Sequence, residues 1–159
     1  MQRKSVSRTS MVVTPMMIFC GLLFAGSSAW ADDGQPTCTL KTLKGRYLFA
    51  GSGTVLPPFG MVTGPAPATH AGFHVFNGDG TGIDTITLVV NGAIQLSNAP
   101  APFSYTVNAD CTGTITVHAP FGPPPTFNIY VAPNGDSVAT IGTDPGNADC
   151  EISQRVSPN

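Results

Sequence analysis

The sequence predicts an all-β protein, most simply an eight-stranded antiparallel up-and-down barrel, with a two-sheet sandwich as the alternative for the same strand count. Three observations predict it. After Leu43 no stretch of ten or more residues carries apolar side chains at helical spacing. Short runs rich in Thr, Val, Ile, Phe and Tyr alternate instead with Gly, Pro, Asn and Asp. The connections also fall into two kinds, short Asn/Asp/Gly turns and longer Pro-rich loops, and an up-and-down chain sends the two kinds to opposite ends.

The runs are, in order, 45–54 (GRYLFAGSGT), 69–76 (THAGFHVF), 81–90 (TGIDTITLVV), 93–107 (AIQLSNAPAPFSYTV), 112–118 (TGTITVH), 126–131 (TFNIYV), 137–142 (SVATIG) and 150–156 (CEISQRV). The fourth is one long strand bent at Pro100 and Pro102, because proline has no N–H to give a ladder. Asn77-Gly78-Asp79-Gly80, Asn108-Ala109-Asp110-Cys111 and Pro133-Asn134-Gly135-Asp136 close one end as a floor, since Asn, Asp and Gly accept positive φ. Residues 56–68, 91–92, 119–125 and 144–149 form the rim. FNGDGTG (76–82) reads as a hairpin turn: a calcium loop of the EF-hand kind needs a different ligand spacing and a Glu at its twelfth position, and no Glu precedes Glu151. Tyr47, Phe49, Phe103, Tyr105, Val107, Phe127, Ile129 and Val131 are the expected inward set.

Residues 1–31 read as a secretory signal peptide. Arg3, Lys4 and Arg8 precede an apolar run from Met11 to Gly26, and Ala29-Trp30-Ala31 supplies a cleavage site. The run is too short and interrupted for a membrane span, and Phe19 before Cys20 does not suit lipid attachment. The expected product is residues 32–159, one exported domain, periplasmic or extracellular, without a membrane anchor. It keeps nine acids against four bases (Lys41, Lys44, Arg46, Arg155), a formal charge of −5. That balance argues against nucleic acid and anionic lipid as partners. Oligomeric state is not legible.

Cys38, Cys111 and Cys150 remain after cleavage, an odd number for an oxidising compartment. Cys38, before the first strand, and Cys111, in a floor turn, fall at the same end. Cys150 opens the last strand at the rim, roughly 23 Å away at ~3.3 Å per residue, whereas a disulfide needs Cα atoms within about 7 Å. The expected bridge is Cys38–Cys111. Cys150 is then unpaired: a small buried apolar residue, a thiol at a pocket mouth, or one half of an intermolecular bridge.

Candidate chemistry is sparse. His70 and His74 sit four apart on a strand, about 13 Å, too far to share one metal ion, and His118 reads as exposed; no metal or cofactor is expected. Asp84 shares a face with Ile86, Leu88 and Val90, so one strand parity buries it with a perturbed pKa and the other leaves it in water. Asp84 and Cys150 are the catalytic candidates. Phe59, Met61 and Phe121 in the rim loops, with Cys150, are the candidates for contact with a ligand.

CTLKTLKGRYLFAGSG, FNGDGTG, YTVNADCTGTITV and IGTDPG together resemble a group of small exported bacterial proteins of unassigned function. Cys38, Leu40, Leu43, Lys44, Gly45 and Tyr47, then Phe76, Gly78 and Gly80, then Asp110, Cys111, Thr112 and Gly113 carry the likeness. Such proteins are similar in architecture to calycin and allene oxide cyclase barrels, which hold apolar small molecules. The resemblance implies a barrel but no catalytic residue. Three functions follow as expectations: binding of a small apolar ligand, an isomerase or cyclase of the allene oxide cyclase kind, or a structural or surface-interaction protein with a solid core. The sequence leaves open whether the protein is an enzyme.

Overall fold

The computed structural model describes residues 37–59, 62–118 and 123–157. The proposed signal segment lies outside them. Eight strands follow in order: β1 (Gly45–Val55), β2 (Ala66–Phe76), β3 (Thr81–Val90), β4 (Ala93–Val107), β5 (Thr112–Val117), β6 (Thr126–Val131), β7 (Ser137–Gly142) and β8 (Asn147–Ser157). Each pairs antiparallel with the next, and β8 pairs back onto β1, so the sheet closes into a barrel with no free edge and the sandwich alternative falls. Among the described residues no helix is long and apolar enough to cross a membrane.

The floor is built from turns that repeat one recipe. Asn77 Nδ2 donates to Thr81 Oγ1 at 2.9 Å, while Asp79 Oδ1 accepts from Thr81 N at 2.9 Å and from Thr81 Oγ1 at 2.7 Å. Asn108, Asp110 and Thr112 repeat this with distances of 3.0, 3.0 and 2.7 Å. The hydrogen bonds from Thr81 and Thr112 hold both exposed carboxyls below their ordinary pKa. FNGDGTG is thus a hairpin turn whose carboxylate is engaged by its own backbone. Where the first turn has Gly80 at φ 95°, the second has Cys111 at φ 67°, a conformation that disfavours a side chain. The Cys38–Cys111 disulfide, with Cα atoms 5.0 Å apart, anchors it there.

A short 3-10 helix (Leu40–Leu43) crosses this end and inserts Leu43, fully buried. Tyr105 Oη donates to Leu40 O at 3.0 Å and accepts from Gly78 N at 3.1 Å. Tyr47 Oη donates to Gly135 O and accepts from Arg155 Nε at 3.0 Å, while Arg155 Nη2 donates to Thr42 O at 2.5 Å. Above these contacts Tyr47, Phe76, Phe103 and Tyr105 pack edge to face with Ile115, Ile129 and Val138, so the lower half of the barrel is solid.

The sequence-based strand limits need three corrections. β2 begins at Ala66, not 69: Ala66, Pro67 and Ala68 keep register with β1, and the Pro67 carbonyl accepts from Asn91 N. β8 begins at Asn147, because the rim turn is confined to 143–146, with Gly146 at φ 86°. The irregularity in β4 falls near Asn98 (φ 48°), not at the prolines. Pro100 and Pro102 keep register with β3, and β5 ends at Val117 opposite Phe103, so it asks neither for an N–H.

Candidate functional site

Above the solid floor the barrel encloses a cavity of about 730 Å³, open toward the rim. Its wall is divided. Strands β3 to β6 contribute a mostly apolar set, Ile86, Leu88, Val90, Leu96, Ala99, Val117 and Phe127, with Asp84 and Gln95 as the polar exceptions. Strands β7, β8 and β2 contribute Thr140, Asn147, Asp149, Glu151, His70 and His74. Phe59, expected at a ligand entrance, does line the cavity and packs with Val62 against Val55, Ala66 and Ala68. Met61 and Phe121 lie outside the described residues.

At the deep end, carboxyls and imidazoles alternate. Asp84 faces inward, the burying parity, opposite His74 in the β2–β3 register. His74 Nδ1 lies 2.5 Å from Asp84 Oδ1 and His74 Nε2 lies 2.7 Å from Glu151 Oε1, which also accepts from Ser153 Oγ at 2.9 Å. His70 Nε2 meets Glu151 Oε2 at 3.2 Å, and its Nδ1 lies 3.6 Å from Asp149 Oδ2. Phe49 stacks on His74, with centroids 4.1 Å apart and an 18° interplanar angle. Gly51, in the stretch AGSGT, leaves the space that His70 fills: a Cβ there would overlap the His70 ring.

The electrostatics follow from burial opposed by partners. Burial works against a charged His74, but hydrogen bonds to Asp84 and Glu151 outweigh it and raise its pKa to about 10. Burial likewise opposes charge on Glu151, yet hydrogen bonds from His70 and His74 bring it down to about 2. His70 is raised for the same reasons as His74, chiefly by Glu151 against burial. For Asp84 and Asp149 burial wins and pushes both carboxyls up, His74 and His70 respectively offsetting only part of it. His74 is therefore a fixed cation near neutral pH.

These shifts set a pH dependence. A histidine raised from 6.5 to about 10 contributes stability that is complete below pH 6.5 and lost as pH climbs through 10. A glutamate lowered from 4.5 to about 2 contributes stability that is complete above pH 4.5 and lost toward pH 2. Asp84 and Asp149, raised instead, soften the acid limb. The expected melting temperature is highest between about pH 4.5 and 6.5 and falls steadily to pH 10. Thermal unfolding across pH 3–10 checks it, and a melting temperature that climbs from pH 6.5 to 9 would contradict the assignment.

Of the sequence candidates, Asp84, Phe59 and Cys150 line the cavity. Cys150 is not the small buried residue expected: it is exposed and alternates with inward Asp149 and Glu151, its Sγ 3.7 Å from Ser52 O, although the residue is part of the cavity lining. Its thiol contributes nothing to the cluster. His118 is exposed, as read. The spacing of His70 and His74 does not suit a shared metal; what the two rings share is the Glu151 carboxylate. Among the described residues no group of His, Cys, Asp or Glu has the arrangement of a metal site.

Asn147, Asp149 and Glu151 were missed because 144–149 reads as loop and because Cys150, Ile152 and Val156 make the apolar face of the last strand. That face points outward, Ile152 being 56% exposed, while the polar face points in. A signal existed. His70 and His74 share parity with Phe76 on β2, and a strand whose alternate residues are Asp, Glu, Ser and Arg is the natural partner for two inward imidazoles.

No family model matches the chain, and no curated protein or solved structure matches it either.

Proposed function

We propose that the protein is an exported binding protein that holds a small, mostly apolar molecule inside its barrel. The observation that carries this reading is the cavity of about 730 Å³ with a mostly aliphatic and aromatic wall on β3 to β6, within the ordinary range of small-molecule pockets. It favours a container over a structural protein with a solid core, whose packing would continue to the rim. The disulfide and the absence of a membrane-crossing helix among the described residues are compatible with export.

Uptake of a hydrophobic fluorescent probe by the purified mature chain tests the reading. Leu88→Trp, which fills the cavity from β3, is expected to weaken uptake at least tenfold while leaving the melting temperature within a few degrees of wild type, since it replaces empty space. Equal uptake by wild type and variant would place the probe elsewhere and count against the proposal.

A second reading, an isomerase or cyclase as the resemblance to allene oxide cyclase barrels suggests, is favoured by one observation. The ion cluster lies at the deep end of the cavity, where it would meet a bound molecule. Conversion of a ligand recovered from the native protein, lost in His70→Gln, would favour the enzyme; recovery of the ligand unchanged after prolonged incubation would leave the carrier.

A further inference from the structure

The cavity's polar end is not neutral, and that restricts what enters it. Three carboxyls (Asp84, Asp149, Glu151) face two imidazoles (His70, His74), so even with both rings protonated one carboxyl exceeds the available cations. Glu151 is fully engaged by His70, His74 and Ser153, and Asp84 by His74. The surplus therefore falls on Asp149, the member nearest the rim. Its nearest cation, His70 Nδ1, is 3.6 Å away, beyond good hydrogen-bond distance, and its Oδ1 has no hydrogen-bond partner. Its side chain is 13% exposed, and the residue lines the cavity beside Asn147, itself 8% exposed with an unpartnered Nδ2. A buried acceptor left without a donor is costly, and although Oδ1 and the Asn147 Nδ2 are both enclosed in this structure, a ligand that draws the two side chains toward the cavity and supplies the donor recovers that cost.

We infer that the ligand carries a hydrogen-bond donor, a hydroxyl or a protonated amine, at its inner end, received by Asp149, and that apolar carboxylates are excluded. This rests on the container reading above. An ammonium group would pair with the surplus carboxylate; a hydroxyl would donate to Asp149 and also accept from Asn147. Both place their apolar part against the Ile86, Leu88 and Phe127 side of the barrel. A carboxylate offers no donor and adds a fourth anion to the cluster. Burial raises the Asp149 pKa, which accords with a carboxyl lacking a full partner.

The test is displacement of the fluorescent probe from the mature protein, at pH 7, by decylamine, decan-1-ol, decanoate and decane. The amine, the alcohol or both are expected to displace it at concentrations at least tenfold below decanoate and decane. Asp149→Asn is expected to narrow that gap to a few-fold, and Asn147→Leu to weaken the alcohol more than the amine. If the wild-type protein takes up the probe but decanoate displaces it as well as the amine and the alcohol, the inference is overturned while the container reading stands. If the gap persists unchanged in Asp149→Asn, Asp149 is not the receiving group and the inference is likewise overturned. If neither the probe nor any of the four compounds binds, the container reading fails, and this inference with it.

Discussion

Replacing Glu151 by Gln is expected to cost about 3–5 kcal/mol of unfolding free energy, the usual consequence of removing one partner from a buried ion cluster. Glu151 is the hub, accepting from His70, His74 and Ser153. A glutamine keeps the shape but turns an N–H toward one imidazole N–H and strands the His74 cation with Asp84 alone. Against a total stability of about 5–15 kcal/mol such a loss is about a fifth or more. Urea unfolding at pH 6 reads it as a lower midpoint at unchanged slope. The same comparison above pH 10 carries its own control: His74 is then neutral, and the gap between variant and wild type should narrow. A loss below about 1 kcal/mol at pH 6 would show that the cluster is not the charged unit described.

Removing the disulfide has the second large effect. Cys38→Ala with Cys111→Ala is expected to lower stability by about 2–5 kcal/mol, since the bridge closes a loop with a sequence separation of 73. The backbone at Cys111 sharpens this. Its φ of 67° suits glycine, as Gly80 shows in the matching turn, so Cys38→Ala with Cys111→Gly should be less damaged than the double alanine by about 1 kcal/mol. Equal midpoints for the two double variants in urea would mean that the turn relaxes once the bridge is gone.

The barrel was legible because its evidence is local. Asn77-Gly78-Asp79-Gly80 and Asn108-Ala109-Asp110-Cys111 declare turns by residue type alone, and once the turns are placed the up-and-down order follows, together with the pairing of Cys38 with Cys111. Asp84 was legible as a candidate but not in its orientation, because both faces of β3 are apolar enough to be buried. The rest of the site was hidden by a sound rule that fails here. Apolar residues usually face inward, yet in β8 Ile152 and Val156 face solvent while Asp149, Glu151, Ser153 and Arg155 face in. The partners that make this tolerable, His70 and His74 on β2 and Tyr47 on β1, are 77 to 108 positions away in the chain, beyond the reach of any local pattern.

The disulfide divides the chain in a way that bears on the order of assembly. Its loop, Cys38 to Cys111, encloses β1 to β4; β5 to β8 lie wholly outside it. The ion cluster is split along the same line, with His70, His74 and Asp84 inside the loop and Asp149 and Glu151 outside it. Once Cys38 and Cys111 have paired, the first half is sealed covalently whether or not the last strand is in place, but it then holds two imidazoles and one carboxyl with no Glu151 between them. The site comes into being only when β8 docks on β1. A chain cut short before residue 147 keeps both cysteines of the bridge but has neither Asp149 nor Glu151, so a complete cluster reports that the last strand is in place.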